Sequence, residues 1–215
     1  MFTVGIDEAG RGPVIGPLVI AGVKANEEQI QKLQEMGVKD SKLLTPIQIE
    51  RMAPKIMDLV EDFRIISVEP VEIDYAVSEA NETSNLNWLE ADKMVIIINE
   101  LQPEKAIVDC PSTVPAKYEA YLKPKLTTNA ELICEHKADL NHVIVGAASI
   151  LAKATREIAI EDLQKKHNVI FGSGYPSDPK TQLFLEKNWE KYDFFRKTWE
   201  SYKRLAKNKG QTKLL

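Results

Sequence analysis

Phe2 to Asp7 alternates and is β-branched enough for a strand, Glu8-Ala9-Gly10-Arg11-Gly12-Pro13 forces a turn, and Val14 to Val23 resumes as a long strand. A strand that returns as a strand excludes the dinucleotide-binding beginning of many α/β chains. That motif needs a third glycine at position 15, which is Ile15, and a helix whose N-terminus would hold a pyrophosphate. What remains is a glycine loop whose bare amides and single Arg11 can approach a nucleic-acid backbone closely.

The later pattern narrows the topology. Glu27 to Met36 has helical spacing and stops at Gly37, and Thr45-Pro46 opens a second helix with Thr45 as N-cap. Phe63 to Val68 reads as a strand, Val71 to Glu79 as a short helix and Leu86 to Leu101 as a longer one. Lys105 to Asp109 and Glu131 to His136 are short strands, Asn141 to His167 is the longest helical stretch, and two helices finish the chain. Three consecutive strands followed by two interleaved with helices predict a mixed five-stranded sheet flanked by helices, the first strand pairing in parallel with a later one.

The 215 residues, 44% apolar, suffice for one domain with a sizeable core, and no apolar run approaches the roughly 20 residues of a membrane span. The N-terminus lacks the basic and greasy regions of a signal peptide, and two cysteines, Cys110 and Cys134, are too few for a disulfide framework. A cytoplasmic protein is expected. Its net charge of −4 is uneven: residues 179–215 hold ten Lys or Arg against four Asp or Glu, so the body is acidic and the tail basic. Such a distribution suits a protein that gathers cations at carboxylates and holds a polyanion with separate basic elements.

Asp7 and Glu8 end the first strand, Asp109 ends the fourth, and Asp139 precedes the long helix. If the two strands are neighbours, their ends bring Asp7 and Asp109 together. Crowded carboxylates persist at neutral pH with cations or protons present, and oxygen-only ligands point to Mg²⁺ or Mn²⁺. Adjacent strand residues face opposite sides, so Asp7 and Glu8 serve one site only if the strand twists or bulges. Two readings therefore stand: Glu8 and Asp139 are site carboxylates, or they are a solvated strand-end charge and an N-cap.

Asp7-Glu8-Ala9-Gly10-Arg11-Gly12-Pro13, Asp40-Ser41-Lys42-Leu43, Val108-Asp109, Lys137-Ala138-Asp139, the run Gly146 to Lys153, and Gly172-Ser173-Gly174-Tyr175-Pro176-Ser177-Asp178-Pro179 together resemble ribonuclease HII. The match runs from Phe2 to about Trp199 and looks most like the archaeal single-chain form. The resemblance implies a ribonuclease H-like fold in residues 1–178, with a basic helical extension, 179–215, packed on it. It implies an endonuclease that cuts the RNA strand of RNA–DNA hybrids and at ribonucleotides embedded in duplex DNA, leaving 5′-phosphate and 3′-hydroxyl ends. By motif, Asp7, Glu8, Asp109 and Asp139 are catalytic carboxylates holding two divalent ions, Gly10, Arg11 and Gly12 read the 2′-hydroxyl, Tyr175 stacks on the sugar, and Lys42 contacts phosphate. Nucleic acid is the expected partner, with no membrane and a monomeric chain. Junction resolvases and integrases lack the Gly-Arg-Gly and Tyr175 pair, and four intact acids argue against a binding module that has lost catalysis. The basic residues from Arg196 onward are expected to bind duplex phosphates by counterion release.

Overall fold

The computed structural model describes residues 1–38, 44–79 and 85–212, with side chains to residue 208. They form two compact units: the described residues within 1–9, 19–67 and 87–155, and those within 10–18, 68–86 and 156–212.

The first unit holds the sheet. Its strands β1 (Thr3–Ala9), β2 (Leu18–Ala25), β3 (Asp62–Val68), β4 (Lys105–Asp109) and β5 (Glu131–Glu135) lie in the order β3-β2-β1-β4-β5. β1 runs antiparallel to β2 and parallel to β4, and β4 is parallel to β5. This is the mixed sheet that the strand order predicts. Helices α1 (Glu27–Glu35), α2 (Pro46–Leu59), α4 (Leu86–Leu101), α5 (Pro115–Leu122) and α6 (Ala138–Asn141) flank it, with α3 (Pro70–Ser78) placed in the second unit. α7 (Val143–His167) begins in the first unit, and its residues from Arg156 belong to the second, with α8 (Pro179–Asn188) and α9 (Glu200–Thr212).

Local chemistry accounts for several boundaries. Thr45 caps α2 through a reciprocal box with Gln48, and Pro46 stands at the first helical position. α4 and β4 have the bounds read from the sequence. β1 instead extends to Ala9 and β2 starts only at Leu18. Val14 and Ile15 donate their N–H groups to Gly174 O, and Ile15 bridges Phe195, so these residues leave the sheet and join the second unit. α5 carries no strong period, and the sequence reading passed over it.

The Thr3, Gly5, Asp7 and Ala9 side of β1 faces α7. A Cβ at Gly5 would fall on the Ile144 backbone, so glycine is what lets helix and strand approach. Gly5→Ala should destabilise the fold by about 1–3 kcal/mol; a urea midpoint equal to wild type would show that α7 can shift without cost. The first core joins Val19, Ala21 and Val23 of β2 to Ala147, Ile150 and Leu151 of α7. The second unit has its own core around Phe171, Phe184, Phe194 and Phe195.

Candidate active site

The last β1–β4 partners are Ile6 and Val108, so Asp7 and Asp109 stand one step beyond them, where the carboxyl ends of two parallel strands part. Asp109 Oδ1 accepts from the Ala138 N–H at 2.9 Å, which ties the end of β4 to the start of α6 and brings in Asp139. Asp139 lies inside α6 and is 2% exposed, so it is not the N-cap of the long helix. Asp7 is 5% exposed. Its carboxyl is pushed up to about 7, chiefly because burial disfavours its charge and secondarily because Asp109 and Asp139 repel it. The Ser149 hydroxyl and the Glu8 N–H, which donates to Asp7 Oδ1 at 2.7 Å, act in the opposite direction. Ser149 is buried beside Asp7, and its hydroxyl dipole favours the charged form of the acid.

Glu8 takes the other face. The β1–β2 register continues without a skipped residue through Asp7↔Ala21, Glu8↔Ile20 and Ala9↔Val19, so there is no bulge to swing Glu8 round. Its half-buried side chain acts on Tyr118 of α5: burial first, then Glu90 of α4 and then Glu8, drive the Tyr118 hydroxyl pKa well upward.

The donor set suits a hard divalent cation: carboxylate oxygens, of which those of Asp7 are raised in pKa chiefly by burial and then by the charges of Asp109 and Asp139. Among the described residues no three His, Cys, Asp or Glu side chains are grouped so that they could hold a metal ion by themselves. An open set fits Mg²⁺, which takes one or two carboxylates and completes its shell with water and substrate phosphate.

The glycine loop lies in the second unit. Gly10 has φ +85, a left-handed conformation that its lack of Cβ allows. All three carbonyls of Gly10-Arg11-Gly12 are bound: the Arg196 guanidinium donates to Gly10 O at 2.7 Å and Arg11 O at 3.0 Å, and Trp199 Nε1 donates to Gly12 O at 3.1 Å. A third Arg196 bond, from Nε to Gly16 O at 3.0 Å, closes the loop behind them. With its carbonyls so engaged, the turn is fixed in one conformation. Tyr175 is 39% exposed, and its ring lies 3.6 Å from where a Gly12 Cβ would stand. The loop and the tyrosine, far apart in sequence, are thus one surface.

Arg196 corrects the sequence reading. Counted among the phosphate-binding tail residues, it is fully buried, because three carbonyls need its fork of donors. Lys203 and Arg204 of α9 are exposed. Lys42 lies outside the described residues, as do the side chains of Lys209 and Lys213. His142 Nε2 meets Glu135 Oε1 at 2.9 Å and closes α6, which is a structural role. Cys110 and Cys134 are reduced thiols, and burial pushes the Cys134 thiol up to about 12, making it inert.

Sequence reasoning passed over Ser149 and Trp199 as functional residues and gave Arg196 the wrong role. Ser149 had a findable signal, since a hydroxyl between Ala148 and Ile150 on the core side of a helix needs a polar neighbour. Nothing local marks Arg196.

A family model described as Ribonuclease HII matches residues 4–202. A ribonuclease HII of Pyrococcus horikoshii is 44% identical over 211 residues, 95% of this chain and 93% of the relative. The crystal structure of the ribonuclease H2 from Pyrococcus horikoshii OT3 superposes with a TM-score of 0.86 at 42% identity, covering 97% of this chain and 98% of that one. A ribonuclease HII of Archaeoglobus fulgidus, solved as a complex with PCNA, gives 0.84 at 36% identity over 93% of this chain and 96% of its own.

Proposed function

The chain belongs to the ribonuclease HII family, endoribonucleases acting on the RNA of RNA–DNA hybrids, and from that premise we propose that it also cuts at single ribonucleotides embedded in duplex DNA. Asp7, Glu8, Asp109 and Asp139 are the catalytic carboxylates in this reading, and the observation that carries it is the meeting of Asp7, Asp109 and Asp139 beyond the carboxyl ends of β1 and β4.

These acids would hold Mg²⁺ or Mn²⁺, two ions when substrate is bound, supplying charge to the attacking water and the departing 3′ oxygen. The protein's own part is positional. The Ala138 N–H fixes the Asp109 carboxylate and the Glu8 N–H fixes that of Asp7, while Glu8, whose side chain leaves the opposite face of β1, is assigned to the site by its Asp-Glu-Ala-Gly motif alone. Hydrolysis then leaves 5′-phosphate and 3′-hydroxyl. Lys42 is assigned to phosphate by its Asp-Ser-Lys-Leu motif. The chain works as a cytoplasmic monomer; among the described residues no helix is long and apolar enough to cross a membrane. The test is cleavage of a continuous hybrid, a duplex with one ribonucleotide and an all-DNA duplex, with and without Mg²⁺ or Mn²⁺. Cutting of the all-DNA duplex, or of any substrate in excess chelator, would overturn the reading.

Gly10, Arg11, Gly12 and Tyr175 are the junction reader. Only the 2′-hydroxyl separates a ribose from a deoxyribose, so a site that cuts at one ribonucleotide must sense that group and the sugar beside it. In support of this reading, the pinned turn holds its backbone groups in one geometry, and the half-exposed ring of Tyr175 offers a sugar a flat face. Tyr175→Ala should depress cutting at a lone ribonucleotide roughly tenfold more than cutting of a continuous hybrid. Equal losses on both substrates would make Tyr175 a packing residue.

A further inference from the structure

One buried cation of the second unit has no part in that account. The Arg156 side chain is 3% exposed, near the middle of α7, and its guanidinium carbon lies 5.1 Å from the centre of the Tyr175 ring. Nη2 donates to Ser173 O at 3.0 Å, two residues before that ring in the chain. A Cβ at Gly10 would stand 2.5 Å from both Cδ and Nε of this side chain, and one at Gly174 would stand 3.3 Å from Nη2. Arg156 therefore fills the space that two glycines vacate, beneath the turn on one side and the tyrosine on the other.

Its hydrogen bonding is unusual for a buried arginine. Nε has no partner among the described residues, and Nη1 reaches only the exposed Glu157 at 3.4 Å. A buried guanidinium with one good acceptor is a costly choice for filling space, since an aliphatic side chain would pack there without the loss of hydration. Charge over the ring and a rigid plane are what an aliphatic side chain cannot supply.

We propose that Arg156 is a positioning residue that holds the Tyr175 ring against the Gly10 to Gly12 turn, and so sets how strictly a lone ribonucleotide is distinguished from a continuous hybrid. The proposal rests on the reading of Tyr175 as a junction reader. Arg156 touches neither substrate nor metal; it acts through the tyrosine. Lysine keeps the charge and the aliphatic stem but loses the plane and the fork, so Arg156→Lys should fold and leave the ring poorly fixed.

Arg156→Lys and Arg156→Met are compared with wild type on the two substrates, together with the Arg156→Lys/Tyr175→Ala double variant. Cutting of the continuous hybrid should stay within roughly twofold while the preference for the lone ribonucleotide falls roughly three- to tenfold, as a cation–π contact of ordinary strength would give. The double variant should lose no more preference than Tyr175→Ala alone. In protein labelled with ¹³C at tyrosine rings, the Tyr175 signal, identified by its disappearance in Tyr175→Phe, should move in Arg156→Lys. Wild-type preference in both Arg156 variants, alongside a Tyr175→Ala protein that has lost it, overturns the proposal, as does a Tyr175 signal that stays in place. A Tyr175→Ala protein that keeps its preference overturns the junction reading and the role of Arg156 in preference together. The ring signal still reports separately whether Arg156 fixes the tyrosine.

Discussion

Asp7→Asn should lower cleavage of a hybrid roughly a thousandfold or more, and in protein stripped of divalent ions it should raise the stability of the fold above neutral pH. Both effects have one cause. Burial, then the charges of Asp109 and Asp139, push the Asp7 carboxyl from 3.8 to about 7, so the folded chain carries a carboxylate that it would hold more comfortably as an acid or beside a cation. Such a group takes up a proton on folding. The penalty is absent below the unfolded value of 3.8, grows as the pH rises toward 7, and is complete above it. Asparagine cannot ionise, so the gain should reach about 2–4 kcal/mol near pH 8 and vanish near pH 4. Urea titrations in chelator across that range, with cleavage assays at saturating Mg²⁺, test both halves. A variant that is less stable than wild type near pH 8 would contradict the electrostatic account. Near-normal cleavage would remove Asp7 from the site.

Arg196→Met should cost about 3–5 kcal/mol of stability, because it strands two buried carbonyls, Gly10 O and Gly16 O, and the part-buried Arg11 O. The guanidinium that now satisfies Gly10 O, Arg11 O and Gly16 O also lies 4.9 Å from the Trp199 ring, so the tryptophan that holds Gly12 O loses its support too. Arg196→Lys keeps the charge but cannot span three acceptors, and should recover only part of the loss. Surviving protein should lose preference for the lone ribonucleotide along with stability, since the turn proposed to meet the sugar is no longer fixed. Denaturant unfolding of the two variants decides: a loss under about 1 kcal/mol in Arg196→Met would mean that the loop carbonyls find other donors.

Much of this molecule is written locally. Thr45-Pro46 with Gln48 starts α2 because a hydroxyl, a fixed φ and an amide side chain satisfy the first turn within four residues. The bounds of α4 and β4 and the turn at Gly10 follow from period and glycine chemistry in the same way. Asp7 and Asp109 could be brought together as carboxylates at the ends of two predicted strands, whereas Glu8 and Asp139 were singled out by the resemblance and not by their spacing.

What the sequence could not decide is where long-range contacts overrule local preference. Val14 and Ile15 are as β-branched as any strand residue here, yet their N–H groups pair with Gly174, some 160 residues away, and the strand begins later. Whether Glu8 swings beside Asp7 depended on the β1–β2 register, which runs unbroken through Ala9 and sets the two acids on opposite faces. Arg196 shows the limit most plainly. By composition it is one of a run of tail cations, Arg196 and Lys197 among them, and only the three carbonyls brought to it by the turn at Gly10 separate it from its neighbours. Charge and periodicity are properties of a segment, whereas desolvation and hydrogen-bond satisfaction belong to whatever the fold brings against it.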